Sequence, residues 1–238
     1  MVKIMKKDEK NTIENGKIVK KVSKKTITIF IVIGIIIMCI VGYIIYENNY
    51  YGKVNKKPII YLYPTEDTNI NIKLGNKDNL ICTYPSYTEN GWNVLAKTNG
   101  SLTNLDNGRE LYSLYYEANN LVKFTVKEDG FIVKKDNVQE FLEEKLAILG
   151  LNEIEAEEFI VYWLPKLQEN EYNYIRFATN EEINKNMPLS FSVEPDTLIR
   201  VLMTYKGLKF PINVKEQKLE SQDRNGFVAV EWGGTEIK

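Results

Sequence analysis

The hydrophobic positions of this chain form one unbroken block near its start and short alternating runs after it. Residues 27–45 carry no charged side chain and include ten Ile. A helix of this length is roughly 28 Å long, which matches the hydrocarbon core of a bilayer. Its Ile, Val and Phe side chains favour insertion by roughly 4 to 7 kcal/mol. The block predicts an uncleaved transmembrane helix over residues 26–46. The apolar core of a cleaved signal peptide fits less well, because such cores are shorter and no small-x-small cleavage site follows.

Beyond residue 57, apolar and polar residues alternate in short runs separated by turn residues, which is typical of strands with one buried face. Because strands dominate and the helical patterns are clustered, the predicted class is α+β. The domain is expected to be mainly antiparallel and β-sandwich-like, with one inserted helical hairpin. Gly233 and Gly234 are expected to follow the last strand as an exit of the chain. The predicted strands span residues 59–63, 68–74, 80–84, 92–97, 111–117, a hairpin of 122–126 with 131–133, then 174–177, 189–193, 198–205, 210–214 and 227–232.

The helical hairpin is predicted from two amphipathic segments after residue 135. Asp136 is expected to precede the first helix with Gln139 at the capping-box position, and Gly150 is expected to end it. Asn152 is predicted to cap the second helix after a turn of about two residues, and Pro165 to kink or end that helix. Its buried face is predicted to consist of Ile160, Val161, Leu164 and Leu167, with Phe159 and Trp163 beside it.

The distribution of charge predicts how the protein lies in a membrane. Residues 1–25 contain nine Lys against three acidic residues, so the positive-inside rule places this tail in the cytoplasm and residues 57–238 outside the cell. The tail is expected to be disordered or to lie against anionic head groups. Residues 47–56 are predicted to be a polar linker. Residues 51–238 hold 22 basic and 28 acidic residues, a balance unsuited to binding nucleic acid or anionic wall polymers.

The absence of His from all 238 residues excludes several kinds of chemistry. Ser-His-Asp and Cys-His catalysis and His-ligated zinc all require an imidazole. Cys39 lies in the predicted span, so Cys82 has no partner for a disulfide in the outer domain and is predicted to be a buried small apolar residue. Residues 104–110 resemble a calcium loop weakly, and a tight turn explains them better. We expect no metal and no cofactor.

Six stretches form an ordered series: KKPIIYLYP, CTYPSYTENGW, NEIEAEEFIVYWLPKLQEN, YNYIRF, EPDTLIRVLM and GFVAVEWGGT. Together they resemble a family of uncharacterised bacterial proteins of Clostridium-like Firmicutes. That family is marked by KPxIYLYP, YPxYxxGW, EFIVYWLP, PDTxIRV and EWGGT motifs. The resemblance covers about residues 57–235 and implies that they form one unit. It implies no particular activity or ligand.

Carboxylates are the candidate catalytic groups, because glycoside cleavage needs two of them across a cleft, roughly 5 to 9.5 Å apart. Asp196 and Glu231 lie in or near predicted strands, and Glu231 is expected to be partly buried. A buried carboxylate is either paired or has a raised pKa. The alternative is a structural ion pair with Arg200 or Arg176.

Aromatic residues are the candidate binding groups, since exposed rings stack on the flat faces of sugars and other amphipathic ligands. The candidates are Tyr63, Tyr84, Tyr87 and Trp92, with Arg176 and Arg200 as possible polar contacts. For Tyr61 and Tyr63, packing in the core is the alternative. The sequence favours a membrane-anchored binding domain whose ligand is a neutral envelope glycan or another membrane protein. A carboxylate-dependent wall-glycan hydrolase and a purely structural role are the alternatives.

Overall fold

A computed structural model of the protein describes residues 11–14, 17–20, 23–50 and 54–237. By its internal contacts the chain divides into two units, residues 1–49 and 50–238. In the first unit, strands β1 (Asn11–Glu14) and β2 (Lys17–Lys20) pair antiparallel. The predicted disorder of the tail is therefore wrong for these two segments, since they pair with each other through their backbones.

Helix α1 (Lys24–Tyr50) contains the apolar block. It is long and apolar enough to cross a membrane over Lys24–Tyr46, where the mean hydropathy is 3.0 and the side chains are not buried by protein. A signal sequence near the N-terminus would meet the same criteria. Of the predicted linker, residues 47–50 belong to α1, which ends at Tyr50, and residues 54–56 belong to the next strand, which begins at Val54.

The second unit is built mainly of strands, with its helices clustered in the middle of the chain. Helices α2 to α4 are Val138–Ile148, Glu153–Gln168 and Asn180–Asn186, and single 3-10 turns lie at Lys77–Asn79 and Lys135–Asn137. Strands β3 to β15 are Val54–Tyr63, Thr68–Leu74, Leu80–Tyr84, Trp92–Ala96, Leu102–Asn104, Glu110–Leu111, Leu114–Asn119, Asp129–Lys134, Tyr172–Phe177, Leu189–Phe191, Thr197–Leu208, Lys215–Glu216 and Val228–Glu236.

Within the described part of this unit the strands form two sheets. The larger sheet has eight strands in the order β14-β10-β11-β13-β15-β3-β9-β5, and the smaller has the order β12-β4-β6-β7-β8. Most neighbours are antiparallel, but β13 runs parallel to β15 at the centre of the larger sheet. The prediction of an α+β fold with mainly antiparallel strands is confirmed.

The two faces of the larger sheet carry separate hydrophobic clusters. On one face, side chains of α2 and α3 pack with β10, β11, β13, β15 and the second half of β3, and Trp163 and Trp232 are fully buried there. On the other face, the smaller sheet packs against β3, β9 and β15 around Trp92. Both clusters exclude water almost completely, so the larger sheet is the central layer between helices and strands.

Helix α3 begins at the predicted cap. Asn152 accepts a hydrogen bond from the backbone N–H of Glu155, whose carboxylate accepts one in return from the backbone N–H of Asn152. The helix does not end at Pro165 but continues to Gln168. Its buried face is rotated from the predicted one and consists of Glu155, Phe159, Trp163 and Leu167, whereas Val161 is exposed and Ile160 and Leu164 are half-buried.

Helix α2 begins later than predicted. Its N-cap is Asn137, no side chain caps it, and the predicted capping box of Asp136 with Gln139 is wrong because a 3-10 turn occupies Lys135–Asn137. Gly150 follows the helix with φ +87°, as expected for a C-terminal glycine. Four residues, not two, join α2 to α3.

Two predicted strands are absent. Residues 121–128 are not strand, and β10 pairs instead with β11, about forty residues further along the chain. Residues 210–214 are also irregular, and Phe210 is largely exposed. Both runs alternate in sequence, but no partner strand lies beside them.

Gly233 and Gly234 do not lead the chain out of the fold, and that prediction is wrong. They lie inside β15 and are buried. A Cβ on Gly234 would stand 2.6 Å from Cζ2 of Trp163, and one on Gly233 would stand 3.1 Å from Cα of Pro58. Gly234 leaves room for the indole of Trp163, which a side chain there would collide with, and Gly233 allows a close approach of the backbone of β3.

Candidate functional site

The larger sheet is wider than the helical layer that covers it. Residues of α3 pack over Trp232 and Ile59. The next residues in the same row are Tyr115 on β9, which packs at the border of this cluster, and Tyr84 on β5, which lies outside it. Tyr115 is half-buried and Tyr84 is 47% exposed. The edge strand β5 and its neighbour β9 therefore present a partly uncovered face beside α3.

A cavity of about 460 Å³ lies on this uncovered face. Tyr162 of α3 closes one side, and the segment from Arg109 to Ser113 closes another. We call this cavity the tyrosine groove. It is lined by Lys57, Ile59, Tyr84, Arg109, Glu110, Leu111, Tyr112, Ser113, Tyr115, Glu117 and Tyr162.

The rings of the groove differ in their exposure. Tyr112 is 60% exposed, and its ring centroid lies 6.5 Å from that of Tyr61. The guanidinium of Arg109 lies 5.8 Å from the ring centroid of Tyr84, within the range of a cation–π contact. These positions leave ring surface available to a flat ligand, since such contacts cover a ring only partly.

Two hydroxyl groups of the groove are held in their protonated form. Burial raises the pKa of Tyr115, and the charge of Glu117 raises it further. The same two causes, burial first, raise the pKa of Tyr162. Both phenols are neutral at physiological pH, as an ordinary tyrosine is, and each can donate and accept a hydrogen bond.

The predicted catalytic residue Glu231 lies in a buried polar network and is 4% exposed. One carboxylate oxygen accepts a hydrogen bond from Nε of Arg200 at 2.5 Å, and the other accepts one from the hydroxyl of Tyr116 at 2.5 Å. The remaining guanidinium nitrogens of Arg200 donate to Oδ1 of Asn184 and to the backbone oxygen of Met187. Both oxygens of Glu231 are therefore occupied inside the core, as in the ion-pair alternative.

Asp196, the other predicted catalytic residue, is exposed and accepts a hydrogen bond from the backbone N–H of Phe227 at 2.7 Å. It lies four residues along the chain from Arg200, which is the register partner of Glu231. At a rise of about 3.3 Å per residue this places Asp196 roughly 13 Å from the position of Glu231 along the sheet. This backbone spacing is longer than the separation of two carboxylates that glycoside cleavage needs.

Of the four aromatic residues singled out in the sequence, Tyr84 alone lines the tyrosine groove. Trp92 is buried and donates from Nε1 to the backbone oxygen of Pro85. Tyr87 packs edge-on against Trp92, and its hydroxyl accepts from a backbone N–H of β4. Tyr63 is half-buried on the helical face. These three rings stabilise the fold.

The two predicted polar contacts are also engaged within the domain. Arg176 donates to Asp129 at 3.1 Å and to Glu182 at 2.8 Å. Arg200 donates to Glu231 and is 7% exposed. Neither guanidinium borders the tyrosine groove, which uses Arg109 instead.

The groove residues that sequence reasoning missed are Tyr112, Tyr115 and Tyr162. The alternation in β9 places Tyr115 on the other face of the strand from the buried Leu114 and Tyr116. Its half-exposed position could therefore have been predicted from the sequence. The position of Tyr162 relative to β9 depends on tertiary packing of α3. No local pattern carries that information.

Cys82 is exposed, so its prediction as a buried residue is wrong. The register between β5 and β9 shifts between Leu80 and Cys82, and this irregularity breaks the alternation that would have placed the two side chains on one face. Residues 105–107 form a turn before Gly108, which has φ +70°. The side chain of Asn104 accepts a hydrogen bond from the backbone N–H of Asp106, which suits the tight turn expected there.

Comparisons with known proteins give one short similarity. The chain is 43% identical over 49 residues to an "Uncharacterized protein in bglA 3'region" of Butyrivibrio fibrisolvens. The matched segment is 20% of this chain and spans about half, 51%, of that protein. No protein-family model matches the chain. No solved structure matches it either.

Proposed function

We propose that this chain is a single-pass membrane protein whose C-terminal domain lies outside the cell and binds a glycan of the cell envelope in the tyrosine groove. The observation that carries this proposal is the uncovered face of β9 and β5, where four tyrosines surround one cavity. The outer domain is proposed to be β-sandwich-like in the half where the smaller sheet packs on the larger.

Sugar binding is supported by the chemistry of the groove. A tyrosine ring offers an apolar face to the C–H groups of a sugar, and its hydroxyl exchanges hydrogen bonds with sugar hydroxyls. The cavity of about 460 Å³ lies within the usual range of small-molecule sites. Arg109, Glu110 and Glu117 supply further polar contacts at its edge. A protein partner would be expected to need a larger continuous apolar surface.

The test is co-sedimentation of the full-length chain, kept in detergent micelles, with isolated cell-wall sacculi. We expect saturable pelleting that Tyr84→Ala and Tyr112→Ala each weaken. Phe210→Ala is the matched control, because Phe210 is an exposed aromatic residue outside the groove. Equal pelleting of the groove variants and the wild type would refute the groove as the binding site. Release of sugar fragments into the supernatant would instead favour the hydrolase.

The orientation in the membrane has its own test, because the chain has two cysteines. Cys82 is exposed in the C-terminal domain, whereas Cys39 lies in the apolar helix. A membrane-impermeant maleimide added to intact, wall-stripped cells is expected to label the protein. Cys82→Ser should abolish the label and Cys39→Ser should not. Labelling that requires cell lysis would reverse the proposed topology.

A further inference from the structure

The charges around the tyrosine groove differ from those of the domain as a whole. The domain carries more acidic than basic residues, which favours a neutral ligand. In the groove, however, Glu110 is engaged with Nζ of Lys97 at 3.2 Å and with the hydroxyl of Thr103 at 2.8 Å. The groove therefore retains Lys57 and Arg109 against the single carboxylate of Glu117.

Lys57 is held in an unusual backbone conformation. Its φ of +53° is rare for a residue with a side chain, and no other non-glycine residue in the described part of the chain has a positive φ. It lies where the register of β3 with β9 shifts, between Asn55 and Ile59. Strain of this kind persists where the surrounding structure imposes it, often at ligand sites. This irregular pairing interrupts the alternation of side chains along β3, and the side chain of Lys57 lines the groove.

Two ammonium groups meet at one ring of the groove. Nζ of Lys57 lies 4.9 Å from the ring centroid of Tyr162, and Nζ of Lys166 lies 3.6 Å from the same centroid. Burial lowers the pKa of Lys166, the positive charges of Lys56 and Lys57 lower it further, and the charge of Glu169 partly offsets them. Neither Lys57 nor Lys166 forms a salt bridge with a carboxylate among the residues that the structure describes. Two ammonium groups thus lie within reach of the ring of Tyr162, and that of Lys57 lines the groove, where a ligand anion could pair with it.

We propose that the groove selects sugars bearing an anionic substituent, a carboxylate or a phosphate, which pairs with the ammonium of Lys57 while the sugar ring stacks on the tyrosines. The inference rests on the proposed glycan-binding function and narrows its ligand class. Lys166 acts on the same anion through its charge. The long, unbranched side chain of Lys57 provides a point charge suited to either kind of anion.

The experiment measures binding of three soluble probes to the full-length chain in detergent micelles by isothermal titration calorimetry. The probes are the neutral disaccharide of two N-acetylglucosamines, the disaccharide of glucuronate and N-acetylglucosamine, and N-acetylglucosamine 1-phosphate. We expect at least one anionic probe to bind about tenfold more tightly than the neutral one, since one charge-assisted hydrogen bond has this magnitude. The preferred anionic probe identifies the substituent as carboxylate or phosphate.

Lys57→Met and Lys57→Gln should each remove the preference for the anionic probe over the neutral one. Lys73→Met is the matched control, because Lys73 is an exposed strand lysine that does not border the groove. Tryptophan fluorescence checks that each variant is folded. Equal binding of the neutral and anionic probes would overturn this inference but not the proposed glycan binding. An unchanged preference in both Lys57 variants would have the same consequence. Binding of no probe would overturn both.

Discussion

The buried pair of Arg200 and Glu231 gives the sharpest test of the fold. Glu231→Gln keeps the shape of the side chain but removes its charge, so the guanidinium of Arg200 stays in the core without a counter-ion. Breaking a buried pair in this way costs about 3 to 5 kcal/mol. A change of 1 kcal/mol shifts the melting temperature of a domain of this size by about 2 to 4 °C, so we expect a decrease of roughly 6 to 20 °C.

Tryptophan fluorescence during heating of the full-length chain in micelles is a direct readout, because all three tryptophans of the chain are buried in the C-terminal domain. Glu194→Gln is the control, since Glu194 is exposed and should change stability by less than about 0.5 kcal/mol. The double variant Arg200→Met with Glu231→Met should melt above Glu231→Gln, because it leaves no charge unpaired. A Glu231→Gln protein that melts within about 2 °C of the wild type would refute the reasoning.

This prediction also changes how the hydrolase alternative is tested. The sequence alone favours Glu231→Gln as a variant that abolishes turnover and preserves the fold. In the structure the same substitution destabilises the core, so a loss of turnover would not identify a catalytic group. Asp196→Asn is cleaner, because Asp196 is exposed and accepts one backbone hydrogen bond.

Three further predictions concern single residues. Lys57→Gly should lower the unfolding free energy by no more than about 1 kcal/mol, because glycine tolerates φ +53°. A larger loss of stability, measured by urea denaturation, would contradict a strained backbone at this position. Gly234→Ala should destabilise the domain by about 1 to 3 kcal/mol through its collision with Trp163, and an unchanged melting temperature would contradict that contact. Burial raises the pKa of Glu182, but the N–H of Thr179 and the charge of Arg176 hold it below its ordinary value of 4.5. Its stabilising effect should therefore be complete above pH 4.5 and lost as pH falls through the lowered pKa, so the wild type's advantage over Glu182→Gln should shrink in acid urea titrations.

Strands with one buried face were the most predictable elements. Thr68–Leu74 has the predicted bounds, because burial of alternate side chains leaves a period of two in the sequence. Leu80–Tyr84 also has the predicted bounds, although its side chains do not alternate in burial. The cap at Asn152 was predictable for a similar reason, since both hydrogen bonds of a capping box join residues three positions apart. Signals of this kind are local and need no knowledge of neighbouring elements.

The errors concern contacts between distant parts of the chain. The run of residues 122–126 alternates like a strand, but β10 finds its partner in β11. In the sequence Gly233 and Gly234 resemble a chain exit. In the structure Trp163, about seventy residues earlier, lies against Gly234, and Pro58 lies against Gly233. Cys82 alternates with Leu80 in sequence, and the shift of register in the pairing with β9 separates them.

The tyrosine groove also depends on contacts between distant parts of the chain, because it lies where the helical layer ends and the sheet continues. Its floor does not need that layer for stability. Leu114 and Tyr116 flank Tyr115 on β9 and are buried on the opposite face by the smaller sheet. The backbone that carries Tyr115 is therefore fixed by one face, which leaves the other face free to bind. A tyrosine held on a strand in this way loses little conformational freedom when a ligand stacks on it, and that preorganisation favours affinity. The buried face of β9 thus provides the rigidity, and the uncovered face provides the recognition.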